Sequence, residues 1–383
     1  MAMRLSRMKK QTGFTLIEFA VAMGVTAIAL AATMLAFRNA TLVNQSVTLN
    51  EDMSDNIRAG LNLMQQDLIQ TGTGIPTGGI SVPTGAPSGA CTSGFTNIKR
   101  PMLTGTTFFP HCNVAMPAIE PGSGIGVNGN DVITLMYQDN SLNVSKYQIN
   151  QPAGTGAPGS GGGCAGSISL TGSFAIFDPL CVVSPSPSGA TVNPGDVLMF
   201  SNTYGNALVV VTSVSWPTVF FAAGDGFALN QTGLPCGTLR QLQNGGQQVN
   251  PPAPAAPLTP CSVLATGTSY PPTTVERITM VSYYLDNTTV PNHTQLIRRV
   301  NFNTGQTVGD TLQTLHFNYN YNDGIATNQP SVPTGYNESQ IRSVNISLGS
   351  QSDTVSTRTG QYMQSQIQTQ VSLRSMAYFN NYH

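Results

Sequence analysis

The sequence predicts an α+β protein: one long N-terminal helix with a transmembrane half and an amphipathic half, packed on a mainly antiparallel, β-rich head with long loops. Three observations lead there. An uncharged apolar run follows a short basic leader, helical periodicity continues beyond it, and the remaining chain alternates between β-branched segments and turn residues.

From Phe14 to Phe37 the chain reads FTLIEFAVAMGVTAIALAATMLAF, in which Glu18 is the only ionisable side chain. The uncharged stretch from Phe19 to Phe37 measures about 28 Å as a helix, near the thickness of a bilayer's hydrocarbon core. Arg4, Arg7, Lys9 and Lys10 all precede the run and no comparable cluster follows. The positive-inside bias therefore predicts a single pass with the N-terminus in the cytoplasm and everything after Arg38 outside. The run is longer than a secretory h-region and lacks an A-x-A cleavage site before a polar mature start.

Glu18 sets a physical problem, because a carboxylate within a bilayer costs about 2.5 to 3.5 kcal/mol on insertion scales unless it is neutralised. A positively charged partner within about one helical turn would supply the missing charge. Ala20, Ala22, Gly24, Ala27, Ala29, Ala31, Ala32 and Ala36 give the span small surfaces that admit close-packed sister helices. With no proline in the span and Gly24 its only weak helix former, the helix is expected to be continuous.

Beyond Arg38, Ile57, Leu61, Met64 and Leu68 recur at helical spacing, with Glu51, Asp52, Asp55, Arg58 and Asp67 assigned to other faces. Gly72, Gly74 and Pro76 end the pattern near Thr71, for a helix of some 55 residues in all. Strands are then expected at Asp131 to Gln138, Asp196 to Ser201 and Ala207 to Ser215. Later ones are expected near 278–286, 294–302, 312–321, 341–349 and 369–379. The glycine- and proline-rich inserts at 153–166 and 250–261 read as flexible and extended loop.

Composition narrows the function classes. Charged residues make up 9% of the 383, about a third of the share in an average soluble domain, so neutral polar groups carry solubility. The net charge is −1, and without the four leader cations 12 basic residues face 17 acidic ones, a net of −5. Such a chain has no global attraction for nucleic acid or anionic lipid. The cation pairs Lys99 with Arg100 and Arg298 with Arg299 read as solvated surface.

Cys91, Cys112, Cys164, Cys181, Cys236 and Cys261 all lie in the segment expected outside the membrane, where an oxidising compartment would pair them. Six cysteines allow fifteen connectivities; nearest-neighbour pairing closes the shortest loops, and free buried thiols are the alternative. No C-x-x-C pair occurs. His111, His293, His316 and His383 share no ligand spacing, so no metal or cofactor is expected. A calcium site on Asp131, Asp139 or Asp225 would lack the twelve-residue loop of an EF-hand. Gly154, Gly156 and Gly159 match G-x-G-x-x-G, but Pro158 and the glycine run after it cannot open the helix that pyrophosphate binding needs. His111 beside Cys112 suggests a thiol nucleophile, yet neighbours on a strand point to opposite faces. Assembly or binding is favoured over catalysis.

Residues Gly13 to Glu18, GFTLIE, closely resemble the processing motif of type IV pilins and type II secretion pseudopilins. The resemblance implies a pilin-like fold, cleavage between Gly13 and Phe14, and methylation of the Phe14 amine by a prepilin peptidase/methyltransferase. It also implies pairing of Glu18 with that amine across subunits. The partners it implies are major and minor pilins, an inner-membrane assembly platform, and membrane lipid before extraction into a surface filament. The expected organisation is a leader (1–13), a transmembrane half-helix (14–37), an amphipathic half (38–71) and a head (72–383). Within the head, Tyr283 to Leu285 (Y-x-L), Leu296 to Arg299 (LIRR), Ile341 to Ile346 (IRSVNI) and Val371 to Arg374 (VSLR), with the helix end Arg58 to Gly72, are similar to the PilW and pseudopilin J branch of minor pilins. That similarity separates residues 275–380 from an elaborated region at 73–274. The expected function is a minor pilin that primes or caps the filament and presents a large head at its tip. A filament-borne adhesin or a type II secretion pseudopilin is the alternative.

Overall fold

In a computed structural model the described residues are 13, 15–76, 78–81, 98–102, 115–140, 168–170, 174–177, 192–203, 205–215, 218–222, 224–230, 274–288, 290 and 294–376. The stem is α1 (Leu16–Gln70), an uninterrupted helix of 55 residues, about 80 Å long at the standard rise. Thr15 caps it: its backbone is extended, its hydroxyl oxygen accepts from the Glu18 N–H at 3.3 Å, and the Glu18 side chain reaches back to the Thr15 N–H at 3.0 Å. At the other end the chain leaves the helix at Thr71, whose ψ is 132°, and Gly72 then adopts a φ of +84°, a conformation that glycine enters without steric cost. The Gly72 N–H then donates to the carbonyl of Met136, which turns the chain onto the head.

The two halves of α1 differ in what surrounds them. From Leu16 to Phe37 every large apolar side chain is at least 59% exposed, whereas Met53, Ile57, Gly60, Leu61, Met64, Asp67 and Leu68 are buried. Burying Ile57, Met64 and Leu68 completely contributes about 1.5 to 3 kcal/mol each. These residues hold the stem on the head.

The head begins with a two-strand ladder, β1 (Ile80–Ser81) and β2 (Ala115–Met116). The hairpin β3 (Ile119–Gly122) and β4 (Val132–Gln138) enters the main sheet. A peripheral sheet joins β5 (Ile168–Leu170) and β6 (Phe174–Phe177) to two later strands. Next come β7 (Val197–Asn202) and β8 (Gly205–Val210), a hairpin of the main sheet, and β9 (Ser213–Ser215) and β10 (Thr218–Phe220), which complete the peripheral one. The expected single strand from Ala207 to Ser215 is thus two. Val211 and Thr212 turn the chain between sheets, the Val211 N–H bonding back to Asp196 and the Thr212 N–H forward to Phe220.

The longest member of the main sheet, β11 (Thr274–Asp286), pairs antiparallel with β7 through its first residues, with β4 through its middle, and with β12 (Gln295–Val300) through its end. Its run from Met280 to Asp286 is buried without alternation, as a strand covered on both faces must be. β13 (Gln306–Gly309) closes that edge. A second sheet is the meander β14 (Leu312–Tyr321), β15 (Ile341–Val355) and β16 (Tyr362–Ser372). Along β14, Leu315, Phe317, Tyr319 and Tyr321 point inward at a period of two, and with Ile346 and Leu348 of β15 they join the helix and the main sheet in one core. The last expected strand, near 369–379, instead spans 362–372. Leu373 still bonds to Arg342, and a helical turn at 374–376 brings Met376 onto Gly72.

Candidate functional site

At the N-terminal end, Gly13 is exposed and a side chain there would meet nothing within 4 Å. The helix starts three residues later, at Leu16. Phe14 lies outside the described residues. Glu18 accepts from the Thr15 N–H at 3.0 Å and from the Thr15 hydroxyl at 2.9 Å. The residues T-L-I-E are a capping box, a T-x-x-E signal that the expectation of an amine partner overlooked. The cap solvates the carboxylate with two donors but supplies no positive charge. Residue 14 is in peptide linkage, so it would gain a free α-amine only if the bond before it were cut.

The rest of the anchor presents a single chemistry. Between Glu18 and Arg38 no ionisable group occurs, and the hydroxyls of Thr26 and Thr33 turn back to the carbonyls of Ala22 and Ala29, at 2.7 and 2.8 Å. Those bonds satisfy groups that would otherwise be costly in hydrocarbon. The anchor therefore offers neighbours an apolar, small-residue surface with one acid near its end.

Where the stem meets the head, a charge cluster overturns two expectations. Asp67, expected on a polar face, is 4% exposed and sits on the buried stripe of α1. Arg298, read as solvated, reaches it from β12: Nε donates to Oδ2 at 2.7 Å and Nη2 to Oδ1 at 3.1 Å. Tyr137 of β4 donates to Oδ1 at 2.9 Å and Tyr283 of β11 to Oδ2 at 2.6 Å. One carboxylate thus receives four donors from three neighbouring strands. Burial, and then the adjacent Asp67 charge, push both tyrosine hydroxyls well above the usual tyrosine range.

Arg100 is a third correction. Its guanidinium is fully buried and donates to the Glu120 carboxylate at 3.2 Å, the Glu120 carbonyl at 3.1 Å and the Pro121 carbonyl at 2.6 Å. It fastens the segment around residue 100 to β3.

The three aspartates considered for calcium serve separate local structures. Asp131 accepts from the backbone of Gly124 and Phe317, Asp139 pairs with Arg277 at 2.7 Å, and Asp225 accepts from the N–H groups of Phe227, Leu229 and Asn230. His316 stands 3.4 Å from Asp131. The six cysteines, the glycines of the 154–159 string, and His111, His293 and His383 lie outside the described residues.

Comparison with known proteins adds one match. Residues 8–34 fit the family described as the prokaryotic N-terminal methylation motif, which supports a type IV pilin-like protein of a pilus or pseudopilus. No curated protein and no solved structure matches the chain.

Proposed function

We propose that this chain is a minor pilin, processed between Gly13 and Phe14, methylated on Phe14, anchored in the inner membrane with its head outside, and then drawn into a type IV filament that it primes or caps. The observation that carries the reading is the asymmetry of α1. Half of one unbroken helix is bonded to the head, and the other half is a bare apolar rod that lies within the matched motif at its start and carries a single acid one turn from the proposed cleavage point. A rod of that kind is stable only in lipid or among its own sort, which is the setting of subunits that pass from membrane to fibre. Its work is assembly rather than catalysis.

Glu18 then acts as a register gauge. Cleavage creates the amine, and an amine of a neighbouring subunit placed beside Glu18 relieves a penalty of about 2.5 to 3.5 kcal/mol that a misplaced neighbour leaves standing. The PilW-like assignment draws on the order of the Y-x-L segment in β11, LIRR in β12, IRSVNI in β15 and VSLR, which starts in β16 and runs on past its end at Ser372. The size of the head favours the tip, where no lateral neighbour limits it. Glu18→Ala is expected to lower surface piliation nearly as far as deletion of the whole chain, while leaving leader cleavage intact. Wild-type piliation in that variant, scored by shearing and immunoblot, would refute the priming role.

A further inference from the structure

The hairpin of β15 and β16 runs down the stem toward the anchor. High on the stem, Gln65 donates to the Thr369 hydroxyl at 3.2 Å; at the low end the Thr357 hydroxyl donates to Gln45. The turn between them is built: the Ser356 N–H bonds to Gln361 at 2.9 Å, the Gly360 N–H bonds to Ser356 at 2.8 Å, and Ser356 is 3% exposed. Arg358 projects from this turn, exposed, with Val355 and Tyr362 each part-exposed on the strands beside it, at 39% and 49%.

Gln45 lies eight residues beyond Phe37, about 12 Å along the helix axis, while a leaflet's headgroup layer is about 5 to 7 Å thick. The turn therefore stands one long side chain above the phosphates, and a helix tilt of about 20° toward the hairpin lowers it further. Charge is ordered the same way. The cations Arg38 and Arg358 come first, and Glu51, Asp52 and Asp55 begin six residues up the helix from Gln45, roughly a Debye length (about 8 Å) away.

We propose that this turn is a membrane foot. While the subunit waits in the bilayer, Arg358 binds lipid phosphate and Tyr362 and Val355 settle at the interface, fixing the tilt and rotation of the head before extraction. The inference rests on the proposed anchoring of α1. A cation, an aromatic ring and an aliphatic side chain on a firm turn suit the headgroup boundary. The net acidity of the chain does not oppose the contact, because the anchor already holds the turn at the surface.

The test uses the full chain in nanodiscs of phosphatidylethanolamine and phosphatidylglycerol, with a photoreactive phenylalanine analogue placed singly at Leu30, Thr359 or Ile325. Ile325 is 82% exposed and follows the opposite end of β14. Lipid adducts are expected at Leu30 and Thr359 and not at Ile325, and Arg358→Glu should lower the Thr359 adduct on the order of tenfold without changing Leu30. A Thr359 yield equal to that at Ile325 while Leu30 reacts would overturn the foot alone, as would adducts from Thr359 to a second copy of the chain in place of lipid. Loss of adducts at both Leu30 and Thr359 would overturn the anchor, and the foot with it.

Discussion

Asp67 shows how one residue couples stem and head. A buried carboxylate with a bidentate arginine and two hydroxyl donors is satisfied only as a set, so removing a partner strands the others. Asp67→Ala and Arg298→Ala are each expected to cost about 3 to 5 kcal/mol in chemical denaturation of the detergent-solubilised chain. The double variant Asp67→Leu with Arg298→Met should recover much of that loss, giving a strongly non-additive cycle; additive costs would show that the four groups act independently. The tyrosines set a pH dependence of definite sign. Their folded-state pKa values are raised, so above the unfolded tyrosine value of about 10 the unfolded chain gives up protons that the folded chain retains. Their contribution is intact below that pH and is lost progressively as alkali rises. Tyr137→Phe with Tyr283→Phe should flatten the fall in stability above pH 10, measured as a denaturation midpoint against pH.

At the scale of elements, α1 is the most legible part of the chain, because uncharged length, absence of proline and a glycine-rich stop act locally and need no knowledge of the head. Its buried face is harder to read. Ile57, Leu61, Met64 and Leu68 mark it, yet the steps from Met53 through Ile57, Gly60 and Met64 are four, three and four residues, and one more step of three lands on Asp67. Periodicity places the aspartate inside and polarity places it outside. The partners that hold it inside come from strands 70 to 231 residues away. Arg100 is hidden because its partners, Glu120 and Pro121, lie 20 and 21 residues on, in a separate strand. The strand positions follow β-branched runs, whereas the break at Val211 and the helical turn at 374–376 arise from long-range pairing that no local pattern encodes. Gly60 offers a test at this scale. A Cβ there would come within 2.7 Å of a methyl of Leu296, a core residue of β12, so Gly60→Val should cost about 1 to 3 kcal/mol by overpacking and lower the thermal midpoint. An unchanged midpoint would mean that the stem can shift on the head.

For the whole molecule the division of labour is plain in its surfaces. The lower helix presents its apolar side chains to an environment outside the chain, and the upper helix buries them in the head. The motif at residues 8–34 and the bare rod that it opens are both readable from sequence, since each is a contiguous stretch; the Thr15 cap is equally local, but the charge on Glu18 masks its role as a capping acceptor. Every functional consequence proposed for Glu18 requires a new amine beside it, and that amine requires a cut at one bond. Intact-mass and N-terminal analysis of the chain purified from its native membrane therefore bears on the account most directly. The expected product begins at Phe14 and carries one added methyl group on its terminal amine, whereas a product that retains residues 1–13, or that begins beyond Phe37, would contradict it.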